Sequence, residues 1–196
     1  SIVAGGIALR SDNLRNLLAF STISQVGFIL LGFAVAGTYG IVGGILYIIT
    51  HALAKSGLFF GVGVIEDSTG KVNLGALCCM LKVSPPLGVS MALLAGSLAG
   101  FFPLIGFFAK LWVIIGAVEK TAYLGVGAIV AAVFTLLYIA RFYHELFFRK
   151  AHAKLPEIKR PSYTGVAVVF LMALVSLLLG ILFFQPVNYL LASGGI

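Results

Sequence analysis

His51 and Lys55 stand one helical turn apart inside an apolar run from Ile41 to Ile65, and Lys110 lies in a second apolar stretch shortly after Pro103. An imidazole and an amine can each hold and release a proton, which an arginine in their place would not do. A lysine at the centre of a bilayer helix costs about 2.5–3.5 kcal/mol on insertion scales, so its presence calls for a function. The chemistry these residue types could perform is proton relay along titratable side chains within a membrane. Neutral alternatives exist for each: His51 bonded to a neighbouring carbonyl, Lys55 a tethering cation. Two lysines and a histidine at similar depth, with a helix break beside one of them, favour transfer.

The surrounding chain is what such a relay needs. Hydrophobic residues make up 61% of the 196 and charged residues 10%, against roughly 25% charged in a soluble domain. The mean hydropathy is +1.13. Runs of about 20 apolar residues, the length that crosses a bilayer, recur along most of the sequence. The reading is an all-α polytopic membrane protein, a single transmembrane domain over residues 1–196. Five spans are expected, at Leu17–Ala36, Ile41–Ile65, Leu87–Val118, Tyr123–Tyr143 and Gly165–Phe184. Ser1–Leu9 is apolar but too short to span and reads as the tail of a helix.

The third span should be discontinuous. Pro103 removes a backbone donor, and Gly96, Gly100 and Gly106 lower helix preference around it. Pro103 and Gly106 are therefore the candidate break residues. Freed backbone groups at membrane depth need protein partners or water, and broken helices of this kind commonly build transport sites. A harmless kink is the plainer alternative, and Lys110 nearby weighs against it. Lys55 and His51 should lie near the midplane and Lys110 slightly closer to the end of its span that bears Lys120, judged by about 1.5 Å per helical residue. Tyr47 and Thr50 share or border the His51–Lys55 face. On the first span Ser21, Ser24 and Gln25 line one face; they serve as packing contacts or, with Tyr47, as residues that order water near the lysines.

All six acids, Asp12, Glu66, Asp67, Glu119, Glu145 and Glu157, fall at span ends or in loops. Sodium needs hard oxygen ligands, which no midplane carboxylate supplies, so protons are the better candidate cargo. Arg141 and Glu145 have the spacing of an interfacial ion pair, with His144 alongside. Cys78 and Cys79 are adjacent and unaccompanied by other ligands, so neither a metal site nor a crosslink is expected. No phosphate loop, catalytic dyad or triad, or cofactor fingerprint is present; Gly61-Val-Gly63 lacks the strand–turn–helix setting of a dinucleotide site. No metal or cofactor is expected in this chain.

The net charge of +7 reflects topology rather than nucleic-acid binding. Alternating the spans puts Arg10, Arg15, Lys71, Lys82, Arg141, Arg149, Lys150, Lys154, Lys159 and Arg160 on one face and Lys120 on the other. The positive-inside rule then places the loop Ala151–Arg160 on the cytoplasmic or matrix side. The expected setting is the prokaryotic cytoplasmic membrane or an organellar inner membrane.

Three stretches together resemble a known family. Asp12-Asn-Leu-Arg-Asn-Leu-Leu-Ala-Phe-Ser-Thr-Ile-Ser-Gln-Val-Gly27 resembles the short loop and following helix of antiporter-like subunits. Tyr47-Ile-Ile-Thr-His51-Ala-Leu-Ala-Lys55 resembles their histidine–lysine helix, and Ser97-Leu-Ala-Gly-Phe-Phe-Pro-Leu-Ile-Gly-Phe-Phe-Ala-Lys110 their broken, lysine-bearing helix. The family comprises proton-translocating subunits of respiratory complex I, of membrane-bound hydrogenases and formate hydrogenlyase, and of Mrp-type antiporters. The resemblance covers residues 12–141 and corresponds to the second of two inverted repeats, with 165–184 as one further helix. It implies that Lys55 is the central-axis lysine, His51 its neighbour in the relay, and Lys110 the terminal acid/base. Tyr47 stands where some members carry a second histidine, and Phe102-Pro103 replaces the more usual Pro-Pro. The first repeat, with its glutamate–lysine pair, has no counterpart here. The implied function is proton translocation within a multi-subunit, redox-driven membrane complex, whose other membrane subunits, including the first half of the channel, would be the partners. An Mrp-type antiporter subunit and a non-conducting structural module are the alternatives.

Overall fold

The computed structural model describes residues 1–70, 72–74, 84–145 and 159–192, with side chains as far as residue 183. Cys78, Cys79, most of the 151–160 loop and five of the thirteen basic residues lie outside the described residues. The chain is helical: α1 (Ile2–Arg10), α2 (Leu14–Ala34), α3 (Thr38–Thr69), α4 (Pro85–Ala99), α5 (Ile105–Lys120), α6 (Ala122–Tyr143) and α7 (Tyr163–Ala192). α2, α3, α6 and residues Tyr163–Phe183 of α7 are long and apolar enough to cross a bilayer. With the family relationship reported below, they make this an integral membrane protein. Local chemistry sets the ends. Asn13 caps α2 by accepting from the Arg15 and Asn16 amides at 2.9 and 3.4 Å, and Gly70, at φ 64°, takes the left-handed conformation that ends α3.

The expected third span is two helices rather than one kinked helix. α4 has 15 residues and α5 has 16, about 22 and 24 Å at 1.5 Å per residue, so neither crosses a hydrocarbon core of about 30 Å alone. The residue that stops α4 is Gly100. At φ 86° it lets its own amide bond the Ser97 carbonyl (3.1 Å) while the Phe101 amide bonds the Gly96 carbonyl (2.9 Å). That paired arrangement is a Schellman ending, for which a residue without Cβ is favoured. Pro103, the residue the sequence singles out, sits beyond it in a turn closed by the Leu104 amide on the Phe101 carbonyl (2.9 Å). Gly106 is not a breaker either. It lies in the first turn of α5, where an added Cβ would stand 1.8 Å from the Ser97 carbonyl oxygen.

Packing divides at the break. One buried cluster joins Leu17 and Leu18 of α2, Ala54 and Leu58 of α3, Met91, Leu94 and Leu98 of α4 and Tyr138 of α6. The second joins Phe28 of α2, Leu46 and Tyr47 of α3, Phe108, Ala109 and Val113 of α5 and Ala131 of α6. Small residues bring the backbones close where apolar attraction between helices in lipid is weak. A Cβ on Gly116 of α5 would lie 2.6 Å from the Gly40 amide nitrogen of α3. α7 seals the break: a Cβ on Gly180 would lie 2.1 Å from the Pro103 carbonyl oxygen, and Ser176 donates to Ser97 at 3.0 Å. Gly106→Ala should therefore exceed the usual cost of overpacking, about 1–3 kcal/mol. The expected result is a marked fall in assembled protein extracted from membranes, whereas Gly127→Ala, which would meet nothing within 4 Å, leaves the yield unchanged.

Long-range bonds gather several termini at one end. Leu14 donates to the Val72 carbonyl (2.7 Å), Leu74 to the Asp12 carbonyl (2.9 Å) and Lys159 to the Ser68 carbonyl (3.1 Å). Arg15 pairs with Glu66. Arg141, which the sequence matches to Glu145, is paired with Asp12 and also donates to the Leu9 and Ser11 carbonyls at the end of α1. That contact spans well over a hundred residues, which no i, i+4 rule can anticipate.

Candidate functional site

Lys55 sits in the middle of α3, about 21 Å from one helix end and about 26 Å from the other, and is 6% exposed. Its Nζ donates to the Leu18 carbonyl at 2.8 Å and to Ser21 Oγ at 2.5 Å. Ser21 in turn donates to the Leu18 carbonyl at 3.0 Å. The ammonium is thus held by neutral oxygens of α2. Among the described ion pairs none involves Lys55 or Lys110; both such pairs lie at the basic end of the bundle.

Lys110 lies in the second turn of α5 and is 4% exposed. Its stem passes Gly100, where an added Cβ would come within 3.1 Å of Cδ. Its Nζ reaches the Ala99 carbonyl at 3.4 Å and stands 5.7 and 5.9 Å from the ring centres of Phe28 and Tyr47. Both rings are within the range at which a cation is attracted to an aromatic face. Three of the carbonyls freed by the end of α4 are thereby accounted for. Gly96 and Ser97 are used by the Schellman ending, Ala99 accepts from Lys110, and Leu98 lies 3.4 Å from the Tyr47 hydroxyl. A helix end buried without such partners would be strongly disfavoured.

Between the lysines lies a polar cluster only partly visible in the sequence. Gln25 of α2, one turn after Ser21, accepts from the Tyr47 hydroxyl and donates to Tyr138 and, at 2.9 Å, to Thr135 Oγ1 of α6. Gln25, Tyr47, Thr135 and Tyr138 are each no more than 1% exposed. Thr135 and Tyr138 are absent from the sequence reading. Their signal was present: two polar residues three apart, hence on one face, in an otherwise apolar span. The Ser97–Ser176 contact was also missed. Ser24 turns away from this cluster toward α1, within 3.4 Å of Ser1 Oγ. Thr50 bonds back to the Leu46 carbonyl at 3.0 Å.

His51 is half-buried, one turn before Lys55, and its Nδ1 is buried without a hydrogen-bond partner among the described residues. The geometry therefore gathers Lys55, Ser21, Gln25, Tyr47 and Lys110 around the facing sides of α2, α3 and the broken helix. It leaves His51 beside Lys55 with an open ring nitrogen. Such an arrangement can hold protons on two amines and pass them through hydroxyls and ordered water. A cavity of about 600 Å³ opens between the starts of α4 and α7, lined by Ser84, Pro85, Arg160, Tyr163 and Phe170 among others. Neither lysine lines it.

Residues 1–135 match the family described as NADH:quinone oxidoreductase/Mrp antiporter, transmembrane region, and the chain belongs to that family. NADH-quinone oxidoreductase subunit N of Desulforudis audaxviator is 30% identical over 166 residues, which is 84% of this chain and 33% of that protein. Among solved structures, a chain of the Mrp complex from Dietzia superposes with a TM-score of 0.84 at 27% identity, over 94% of this chain and 42% of that one. A chain of respiratory complex I from Thermus thermophilus gives a TM-score of 0.81 at 21% identity, over 90% and 37%, a likeness of fold alone. The chain spans about a third of the length of the curated relatives it matches.

Proposed function

We propose that this chain supplies the second half-channel of an antiporter-like subunit and carries protons across an energy-transducing membrane, within a multi-subunit, redox-driven complex. The observation that supports this most is the pair of buried lysines held only by neutral groups, one on the continuous α3 and one just after the helix break, with a buried polar cluster between them. An ammonium locked against a carboxylate would be a structural tether; one held by carbonyls, hydroxyls and ring faces can leave its proton behind. In this reading Lys55 passes a proton through His51 and ordered water toward Lys110, which releases it on the side of Lys120. Tyr47 and Gln25 order the path between them. Dye-monitored proton movement into vesicles holding the assembled complex tests the reading. Neutral replacement of either lysine should stop that movement, and full movement in both variants would overturn it.

The Mrp-type antiporter is the second reading, favoured by the 27% identity to a chain of the Dietzia Mrp complex. The relatives described as NADH-quinone oxidoreductase subunit N favour the redox-driven complex. Subunits that co-purify decide between them: iron–sulfur subunits indicate the redox complex, and hydrophobic subunits alone indicate the antiporter. No cofactor is assigned to the chain in either reading.

The orientation is a further part of the proposal. Arg10, Arg15, Arg141, Lys159 and Arg160 lie at the end of the bundle defined by the long-range bonds above, and Lys120 closes α5 at the other. The positive-inside rule puts the basic end, with the 151–160 loop, on the cytoplasmic side. In a background with Cys78 and Cys79 replaced by serine, Arg160→Cys should react with an impermeant thiol reagent only from the cytoplasmic side and Lys120→Cys only from the other. The reverse pattern would invert the assignment.

A further inference from the structure

The hydrogen bonds around Gln25 have a fixed direction, and that direction starts on α6. Thr135 spends its hydroxyl proton on the Ala131 carbonyl at 3.1 Å, so toward Gln25 it can only accept. The side of the Gln25 amide facing Thr135 and Tyr138 must then be nitrogen, and both of its protons are used there. The amide oxygen is left facing Tyr47, which satisfies it with its only proton. A hydroxyl has one proton to give, so Tyr47 cannot also donate to the Leu98 carbonyl, which lies 3.4 Å away. Leu98 is the neighbour of Ala99, whose carbonyl holds Lys110. All four members of the cluster are buried, where no bulk water competes for these bonds.

We infer that Thr135 and Tyr138 are positioning residues for Lys110: acting through Gln25, they commit the Tyr47 proton to Gln25 and keep the Leu98 carbonyl open to a proton donor at the Lys110 end of the path. This rests on the proton-relay reading of the site. If the amide turns over, its nitrogen faces Tyr47, the Tyr47 proton swings onto Leu98, and the second acceptor beside Ala99 is lost. The hub also joins the two apolar clusters, since Tyr138 belongs to one and Tyr47 to the other.

The test uses the assembled complex in vesicles, with proton movement normalised to the amount of complex. Tyr138→Phe removes one acceptor of the Gln25 amide and Thr135→Val the other, and each should slow proton movement about tenfold, the scale of one buried bond left unmade. Thr135→Ser, which keeps the hydroxyl, should restore the parent rate. Tyr47→Phe, which takes away a hydroxyl of the path and leaves the Gln25 amide oxygen unpaired but keeps Leu98 open, should slow movement by a similar factor and still leave a measurable rate. In the Tyr47→Phe background, Tyr138→Phe should cause no further loss, as expected when one residue acts only through another. Equal losses from Tyr138→Phe in both backgrounds would mean a packing role and overturn the inference. So would a silent Tyr138→Phe, or loss of all movement in Tyr47→Phe. Should Tyr138→Phe fail to assemble, Thr135→Val gives the same comparison without disturbing an aromatic ring. Lys110→Leu separates the two levels: unchanged movement there removes the relay reading itself, whereas a dead Lys110→Leu with a silent Tyr138→Phe removes only the positioning role.

Discussion

Lys55→Ala is expected to lower proton movement by about a hundredfold or more while the complex still assembles, the scale lost when a positioned proton-transfer group is removed. The geometry explains why assembly should survive. Ser21 already donates to the Leu18 carbonyl, so removing the ammonium leaves neither group without a partner. No charged partner is stranded either, which is the usual reason that breaking a buried ion pair is destructive. Lys55→Arg should fail to the same degree. It keeps the charge and the contacts with α2, but a guanidinium does not surrender its proton at physiological pH. The pair of variants separates charge from proton exchange: normal movement with Lys55→Arg would make this residue a tether and favour the non-conducting module. Proton movement and the amount of assembled complex, measured on the same vesicles, decide the matter.

The fold was legible because a bilayer leaves few options. Every backbone group must find a partner within the segment, so long apolar runs become helices and their number follows from length. The ends were less legible. α3 runs from Thr38 to Thr69, several residues past Ile65, because hydrophobicity stops at the polar Glu66-Asp67 while helical bonding continues to Gly70. Pro103 does lie inside the break, but the residue that stops α4 is Gly100, one of the three glycines that lower helix preference around it. Pro103 is conspicuous in a sequence, whereas the stop comes from Gly100, whose left-handed conformation is not evident from its neighbours. The candidate site residues are legible by their cost: Lys55 and Lys110 stand out because charge is rare at that depth. Tyr138 and Thr135 did not stand out, because a tyrosine and a threonine are cheap in a membrane helix and their meaning depends on meeting Gln25 across more than a hundred residues. Ser21 and Ser24 looked equivalent on one helix face, and only packing against α3 and α1 separates them.

Lys110→Leu should abolish proton movement as thoroughly as Lys55→Ala, whereas Lys110→Glu should retain part of it. Leucine fills the space between Phe28, Tyr47 and Gly100 but offers no proton to the Ala99 carbonyl. Losing that donor exposes a carbonyl at the end of α4, about 1–3 kcal/mol for an unpaired buried acceptor, a cost that the packed bundle can absorb. Glutamate changes the chemistry rather than removing it. When it holds a proton it can donate to Ala99, as lysine does. When it releases the proton, the anion meets the negative faces of Phe28 and Tyr47 and a carbonyl oxygen, all of which suit a cation. The discharged state is therefore disfavoured, and the exchange should be slow but present, about tenfold below the parent, the size of one unfavourable electrostatic contact at this depth. Measured movement in the order lysine, glutamate, leucine would place proton exchange at this side chain. Equal movement in the glutamate and leucine variants, at parent levels of assembly, would show that the outward step leaves the helix break by another route.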